Sequence, residues 1–410
     1  MVAWILRCNN FPQKGAEAHA LQTLAQSSLT QQSRESVLVL RRSKFTLVVR
    51  CSKIHLRSGV GTRLPLPSPR PLALLQPLHS LVVQIERTGP WAPLLFVTLF
   101  IAASFLMIWR LESMNASGLE GTVLGTLIMP YCSGIGNLIF AFVIGRAGGS
   151  GAEVMTNALV NNVTNLTLLI GLPALFWNMS LAPKASGKKK KSKKRGDNVE
   201  HRINRLSLLM TLTAVFVFTG AVWALARDGK LDFNDGLVLA GLFFFWQMFH
   251  VFDVLKSNAR QNRSFTWMLP LDLAALAVGA YATYVSIDWL VNWISHIKTG
   301  FISAKNLGLL SGLLMVLPNG LLALYYGWRG NPEIVYTSQV GDGHICIPLC
   351  VGIFALYQSF AMPAMFETGM ITLFAATIAH VICIAIFGGL PRILGAAFVV
   401  AYGVFLWKGF

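Results

Sequence analysis

Only 12% of the 410 residues are charged, 54% are hydrophobic, and mean hydropathy is +0.57. A soluble domain carries about twice that share of charge, so the composition excludes a water-soluble globule and indicates an all-α polytopic membrane protein. The formal net charge of +17 is confined to two stretches, which argues against a nucleic-acid partner and for orientation against the lipid bilayer.

The first of these stretches is residues 1–85, with eleven Lys and Arg against Glu17 and Glu35. It is rich in Ser, Gln and Arg, and LPLPSPRPL (64–72) is a Pro-rich extended piece. VLVLRRSKFTLVVR reads as a short strand or amphipathic piece with nothing to pair with. The expectation for 1–85 is a basic segment with no fixed fold: a tail, an organelle-type leader, or translation from an upstream start.

A helix needs about 20 apolar residues to cross the hydrocarbon. That rule gives about ten transmembrane helices, at 91–110, 117–145, 152–178, 205–226, 235–256, 266–292, 302–327, 336–360, 363–388 and 390–407. Between the third and fourth lies the basic linker 182–204, which holds most of the second cluster. The Lys188–Arg195 run reads as a solvated cytoplasmic loop, with anionic lipid as a further partner. If the first span starts outside, Arg110, this cluster, Lys256, Arg260, Arg263, Arg329 and Arg392 lie inside. Arg146, Arg227, Lys230, Lys298, Lys305 and Lys408 then lie outside, which is the expected bias. The expected localisation is integral and multi-pass, in a plasma or inner membrane.

The spans divide into two halves of five, 86–256 and 257–410. In the first, SGIGNLIFAFVIGRAGG leads to LVNNVTNLTLLIGL. In the second, LMVLPNGLLALYYGWRGN leads to QVGDGHICIPLCVGI. Aligning Asn137 with Asn319 places Arg146 one residue from Arg329 and Asn161 one residue from Asp342. An odd number of spans per half makes the halves two inverted five-helix repeats, the plan of secondary transporters with a site at the midplane. Asn137, Asn161, Asn162, Asn165, Asn319 and Asp342 are the candidate ion-contacting residues, because amides and acids in hydrocarbon cost several kcal/mol unless they have partners. Helix–helix packing is the competing reading for the amides. Pro130, Gly134, Gly136, Pro318, Gly341 and Gly343 are the expected breaks in the central helices.

Four motifs carry a family likeness. They are Ser133-Gly134-Ile135-Gly136-Asn137-Leu138; Val160-Asn161-Asn162-Val163-Thr164-Asn165; Leu317-Pro318-Asn319-Gly320; and Gly341-Asp342-Gly343-His344-Ile345-Cys346. They resemble the repeat motifs of the calcium/cation antiporter superfamily, sodium/calcium exchanger type. The resemblance implies a secondary active cation antiporter working by alternating access, with inorganic cations such as sodium and calcium as substrates and no cofactor. Similar proteins place a glutamate where Asn137 and Asn319 stand. Amides keep the oxygens and remove two charges, which favours a monovalent ion or a weak divalent site. Asp342 then supplies the charge. A non-transporting scaffold or sensor with the same fold, and a proton-coupled cation exchanger, are the alternatives.

The rest of the chain carries fewer signals. Gln247, His250 and Asp253 share a helical spacing and read as a helix end or a proton relay. Asp272 and Asp288 read as interfacial, Glu367 as a cap, and His380 as a packing residue. None of the six cysteines forms a CxxC pair, so neither zinc site nor disulfide framework is indicated. No phosphate loop with its Lys and no nucleophilic constellation is present. The chain does not read as an enzyme, and an ion gradient is the expected energy source.

Overall fold

The computed structural model describes residues 37–42, 45–50, 76–116, 129–181, 191–261 and 269–409. The chain forms two compact units, Met1–Arg70 and Pro71–Phe410. In the first unit, strand β1 (Val37–Arg42) pairs antiparallel with β2 (Phe45–Arg50), Val37 opposite Arg50 and Arg42 opposite Phe45. The expectation of an unpaired strand is corrected: VLVLRR pairs with the FTLVVR that follows it, because both runs are rich in β-branched residues.

The second unit starts with α1 (Gln76–Glu86), inside the segment expected to lack a fixed fold. Val82 and Ile85 lie one turn apart on its buried face and pack with Ala92, Phe96 and Leu290. The helices that follow are α2 (Ala92–Ala116), α3 (Met129–Ala147), α4 (Gly151–Leu166), α5 (Leu168–Phe176), α6 (Lys191–Leu225), α7 (Phe233–Gln261) and α8 (Leu269–Ser295). Then come α9 (Leu307–Trp328), α10 (Pro332–Ile345), a π-helical turn (Cys346–Cys350), α11 (Val351–Tyr357), α12 (Phe366–Phe387) and α13 (Arg392–Gly409). Among the described residues, eight helical stretches are long and apolar enough to cross a membrane. Helices α3 and α7 lie outside that count. The expected span 117–145 falls partly on 117–128, outside the described residues, as does 182–190 of the basic linker. From Lys191 onward that linker is the first part of α6, not a loop.

Burial separates centre from periphery. Of the α4–α5 and α10–α11 spans, 78% and 83% are buried, against 39% or less for the spans containing α2, α6, α8, α12 and α13. The outer helices turn apolar side chains outward: Phe245, Ile393 and Trp407 are 73%, 84% and 85% exposed. In water such a surface would aggregate; in hydrocarbon it is the solvated face.

The packing is reciprocal between the halves. Helix α9 packs on α4, and α3 on α10; α13 packs on α5, and α7 on α11; α2 packs on α8 and α6 on α12. Two short strand pairs follow the same rule. Strand β3 (Met179–Ser180) pairs with β6 (Gly389–Leu390), and β4 (Lys230–Leu231) with β5 (Phe360–Ala361). The register that carries Asn161 onto Asp342 also carries Met179 onto Phe360. Each of these two faces a leucine of the other half, Leu390 and Leu231. The turns after α3 and α9 also correspond. The register that carries Asn137 onto Asn319 carries Gly148 onto Gly330, and each glycine has φ of +70°. A side chain there would meet the left-handed penalty, so both turns are built on glycine.

The expected helix breaks are corrected. Helix α3 runs unbroken through Gly134 and Gly136, α9 through Pro318, and α10 through Gly341 and Gly343, while the residues before Pro130 lie outside the described ones. The breaks lie at Thr167, between α4 and α5, and at the Cys346–Cys350 π turn that contains Pro348. Thr167 and Pro348 are themselves equivalent in the repeat, in the register of Asn161 and Asp342. Thr167 sits at φ −107° and ψ −70° with its hydroxyl on the Val163 carbonyl at 2.5 Å, and Pro173 follows inside α5. A back-bonding Thr competes for a helix carbonyl, and Pro lacks the amide hydrogen the ladder needs. The central glycines instead bring helices together. A Cβ on Gly136 would lie 2.6 Å from Met315 Sδ, and one on Gly312 would lie 3.0 Å from the Asn157 carbonyl.

Candidate ion-binding site

Asn157, Asn161 and Asn165 recur every fourth residue on α4, so they form one polar stripe on an otherwise apolar helix. Ser150 starts that helix by accepting a bond from the Ala152 amide at 3.2 Å, which sets the register of the stripe. Opposite it stand Ser311 and Asn319 of α9, and Ser338, Gln339 and Asp342 of α10. Ser311, Met315 and Asn319 share a face by the same four-residue spacing. All these residues are buried, and Asn161, Asn165, Gln339, Asp342 and Cys346 are wholly so. The site is therefore closed to both sides in this conformation.

Three of the four bonds at its centre cross between the halves. Asn157 Nδ2 donates to Ser311 Oγ at 3.0 Å, and Asn161 Nδ2 to Cys346 Sγ at 3.4 Å. Asn165 Nδ2 and Asn319 Nδ2 both donate to Asp342 Oδ2, at 3.1 Å and 2.5 Å. An ionised carboxylate only accepts, so it draws in the NH2 of each amide and turns the amide oxygen elsewhere. For Asn165 that oxygen has no hydrogen-bond donor, and the same holds for Asn137 Oδ1, Asn161 Oδ1 and Gln339 Oε1. Leaving such an oxygen buried and unpaired costs about 1–3 kcal/mol. The oxygens of Asn161 and Asn165, whose nitrogens reach Cys346 and Asp342, make with the carboxylate a centre rich in acceptors. A cation satisfies such a centre; another apolar side chain does not.

The structure thus brings together Asn161, Asn165, Asn319 and Asp342 of the sequence candidates, joined through Cys346 and α10. Asn137, on α3, is buried with neither side-chain atom in a hydrogen bond. Asn162 is different: its Nδ2 donates to Ala158 O at 2.7 Å on its own helix, and its oxygen packs against Gly343. His344 turns away from Asp342, as a two-residue step on a helix requires. Its Nε2 lies 3.2 Å from the Thr211 carbonyl, and its ring packs on Phe218 and Trp246.

Other expectations divide in the same way. His380 is buried, and its Nε2 donates to Leu166 O at 2.7 Å, satisfying a carbonyl that the α4–α5 break leaves open. Glu367 lies in the first turn of α12 but is not its N-cap, which is Met365. Gln247 is buried; the side chains of His250 and Asp253 lie outside the described residues. Asp272, expected at the interface, is buried and ion-paired with Arg110 at 3.6 Å, while Asp288 pairs with Arg146 at 2.5 Å.

Ser311, Gln339 and Glu153 were not singled out from the sequence. Glu153 Oε2 accepts from the Gly308 amide at 2.5 Å. It caps the start of α9, whose own N-cap, Asn306, makes no side-chain bond there. The one available signal for Gln339 was its place one turn before Asp342 in an apolar span.

Reciprocal halves, interrupted central helices and a buried amide–carboxylate cluster define a multi-pass integral membrane protein built on the plan of secondary transporters. The sequence pattern of the family described as "Sodium/calcium exchanger protein" matches residues 88–252 and 271–408. The chain belongs to that family, whose members are cation antiporters. The fold is similar to that of the sodium-calcium exchanger NCX_Mj. A crystal of it soaked with 2.5 mM Na+ and 10 mM Sr2+ aligns with a TM-score of 0.53 at 17% identity, covering 80% of this chain and 98% of that one. A crystal soaked without Na+ and Ca2+ gives 0.52 at 18% identity, covering 76% and 96%. No curated protein matches the chain.

Proposed function

We propose that this chain is a secondary active cation antiporter, driven by an ion gradient, in which Asp342 is the charged ligand and the surrounding amide oxygens complete the coordination. The observation that carries this reading is the pair of bonds from Asn165 and Asn319 to one carboxylate oxygen, with unpaired buried oxygens on Asn165 itself and on Asn161 one turn before it. A carboxylate inside a membrane is costly, and neutral amides lower that cost without cancelling the charge. A bound cation does both. One carboxylate with several neutral oxygens suits a monovalent ion or a weakly held divalent one, since divalent affinity rises with ligand charge.

Alternating access follows from the architecture in this reading. The two halves, 86–256 and 257–410, move their peripheral helices against α3, α4–α5, α9 and α10–α11. The paired breaks at Thr167 and the Cys346–Cys350 turn absorb the change. The basic run from Lys188 contacts anionic lipid at the membrane surface.

The test is flux in liposomes holding the full chain, under an imposed sodium gradient and, in parallel, an imposed pH gradient. Sodium-driven cation flux that is lost in Asp342→Asn, with folding intact, supports the proposal. Flux under the pH gradient alone replaces sodium coupling with proton coupling. Flux that is equal in Asp342→Asn and wild type removes Asp342 from the mechanism, and silence of a folded wild type under both gradients supports a scaffold that keeps only the fold.

A further inference from the structure

Gln339 lies one helical turn before Asp342 on α10 and is wholly buried. Its Nε2 donates twice, to the Asn319 backbone carbonyl at 3.3 Å and to Ser338 Oγ at 3.0 Å. Those two bonds fix the amide plane from its nitrogen end. Its oxygen, Oε1, is buried with no hydrogen-bond donor. The residue it leans on, Asn319, is the one whose side chain holds Asp342.

The repeat sharpens the point. In the register that carries Asn161 onto Asp342, the first-half counterpart of Gln339 is Ala158, a buried apolar residue. The architecture therefore accepts alanine here, and helix packing gives no reason for a long amide. A buried, unpaired oxygen costs about 1–3 kcal/mol, so a purely structural Gln339 works against stability. A ligand oxygen held in advance in its bound orientation accounts for all three features: the anchored nitrogen, the unpaired oxygen and the apolar counterpart.

We propose that Gln339 is a further ion-contacting residue, one that sets cation selectivity by adding a neutral oxygen to the Asp342 side of the site and none to the other. The proposal rests on the reading of Asp342 as the charged ligand. It makes the two halves of the site differ in kind: Asp342, Asn319 and Gln339 in the second, with the carboxylate among them, and the amides Asn137, Asn161 and Asn165 in the first. A neutral oxygen at this place favours a singly charged ion, because it adds coordination without adding charge.

The experiment is thermal unfolding of the full-length protein in detergent, titrated with sodium chloride or calcium chloride, with choline chloride as the ionic-strength control. Gln339→Ala should raise the half-saturating cation concentration about tenfold, the effect of losing roughly 1.4 kcal/mol of binding. Its melting temperature should fall further below wild type in saturating cation than without cation. Gln339→Glu, of the same size, should shift the ratio of calcium to sodium affinity toward calcium by tenfold or more. Half-saturation within twofold of wild type in both variants overturns the proposal. Asp342→Asn separates the two readings: loss of the cation response there, with Gln339 variants unchanged, removes Gln339 and keeps Asp342. No cation response in the wild type, or an unchanged one in Asp342→Asn, overturns both.

Discussion

Asn165 donates to Asp342 across the two halves of the chain, and Asn161 donates to Cys346, again from the first half to the second. In the repeat, Asp342 is the counterpart of Asn161, and Cys346 is the counterpart of Asn165. The two residue pairs are thus images of each other, but the donor is the first-half asparagine in both, with a carboxylate acceptor in one and a thiol in the other. A charge-assisted bond contributes about twice a neutral one, and sulfur accepts weakly. Asn165→Ala should therefore lower the cation-free melting temperature and raise the half-saturating cation concentration severalfold. Asn161→Ala should do less of both. Equal effects in a thermal-unfolding titration would show that the two bonds are interchangeable.

Restoring charge should change which ion is held. Asn137→Glu combined with Asn319→Glu adds two carboxylates to the one at Asp342. Calcium affinity should rise by at least tenfold, and the cation-free protein should be less stable because the new acids repel Asp342. Isothermal titration with calcium measures this directly. An unchanged affinity in a folded double variant would place both amides outside the site.

Two ion pairs stand near opposite ends of α8, and they should behave differently. Arg110 and Asp272 join α2 to α8, with Asp272 buried; Arg146 and Asp288 join α3 to α8 and are about half exposed. Arg110→Met leaves a buried charge without its partner and should cost about 3–5 kcal/mol. Arg110→Met with Asp272→Leu should recover most of it. A double variant no more stable than the single one, by chemical denaturation, would overturn this account.

Arg146 sits on a central helix and Asp288 on a peripheral one, with Arg146 also donating to the Tyr284 hydroxyl at 2.7 Å. An exposed pair contributes about 0–1 kcal/mol to stability. Arg146→Gln should hardly alter melting but should change the exchange rate, since the pair must part if α8 moves against α3. The charge-swapped variant, Arg146→Asp with Asp288→Arg, should restore the wild-type rate. Wild-type rates in Arg146→Gln would mean that α3 and α8 move as one.

Glycine positions offer an internal control. Gly312 holds α9 against α4, where an added Cβ would meet Val160 at 2.8 Å and the Asn157 carbonyl at 3.0 Å, while Gly241 on α7 has nothing within 4 Å. Gly312→Ala should cost about 1–3 kcal/mol and disturb cation binding through Asn157. Gly241→Ala should be neutral or stabilising by up to about 1 kcal/mol. Melting curves with and without cation report both.

The sequence by itself determined that the chain lives in a membrane, crosses it many times, and carries matching motifs in its two halves. Those features are written in local composition: long apolar runs, and matching motifs around Asn137 and Asn319. It also marked the polar residues of the centre, because an amide or acid stands out against hydrocarbon-forming neighbours. What it left undecided is which polar groups meet. The spacing of Asn165 says that it shares a face with Asn161, not that its partner is Asp342 of the other half. The helix breaks were misplaced for a related reason. Pro318 and the glycines beside Asp342 look like breakers locally, yet packing of α9 on α4 and α10 on α3 holds those helices continuous. The interruption falls instead at Thr167 and at the π turn around Pro348, and at the first of these the Leu166 carbonyl finds its donor in His380. Only tertiary contact decided these points, because the free energy of a buried polar atom depends on its partner, and here the partners of the α4 stripe lie in the other half of the chain.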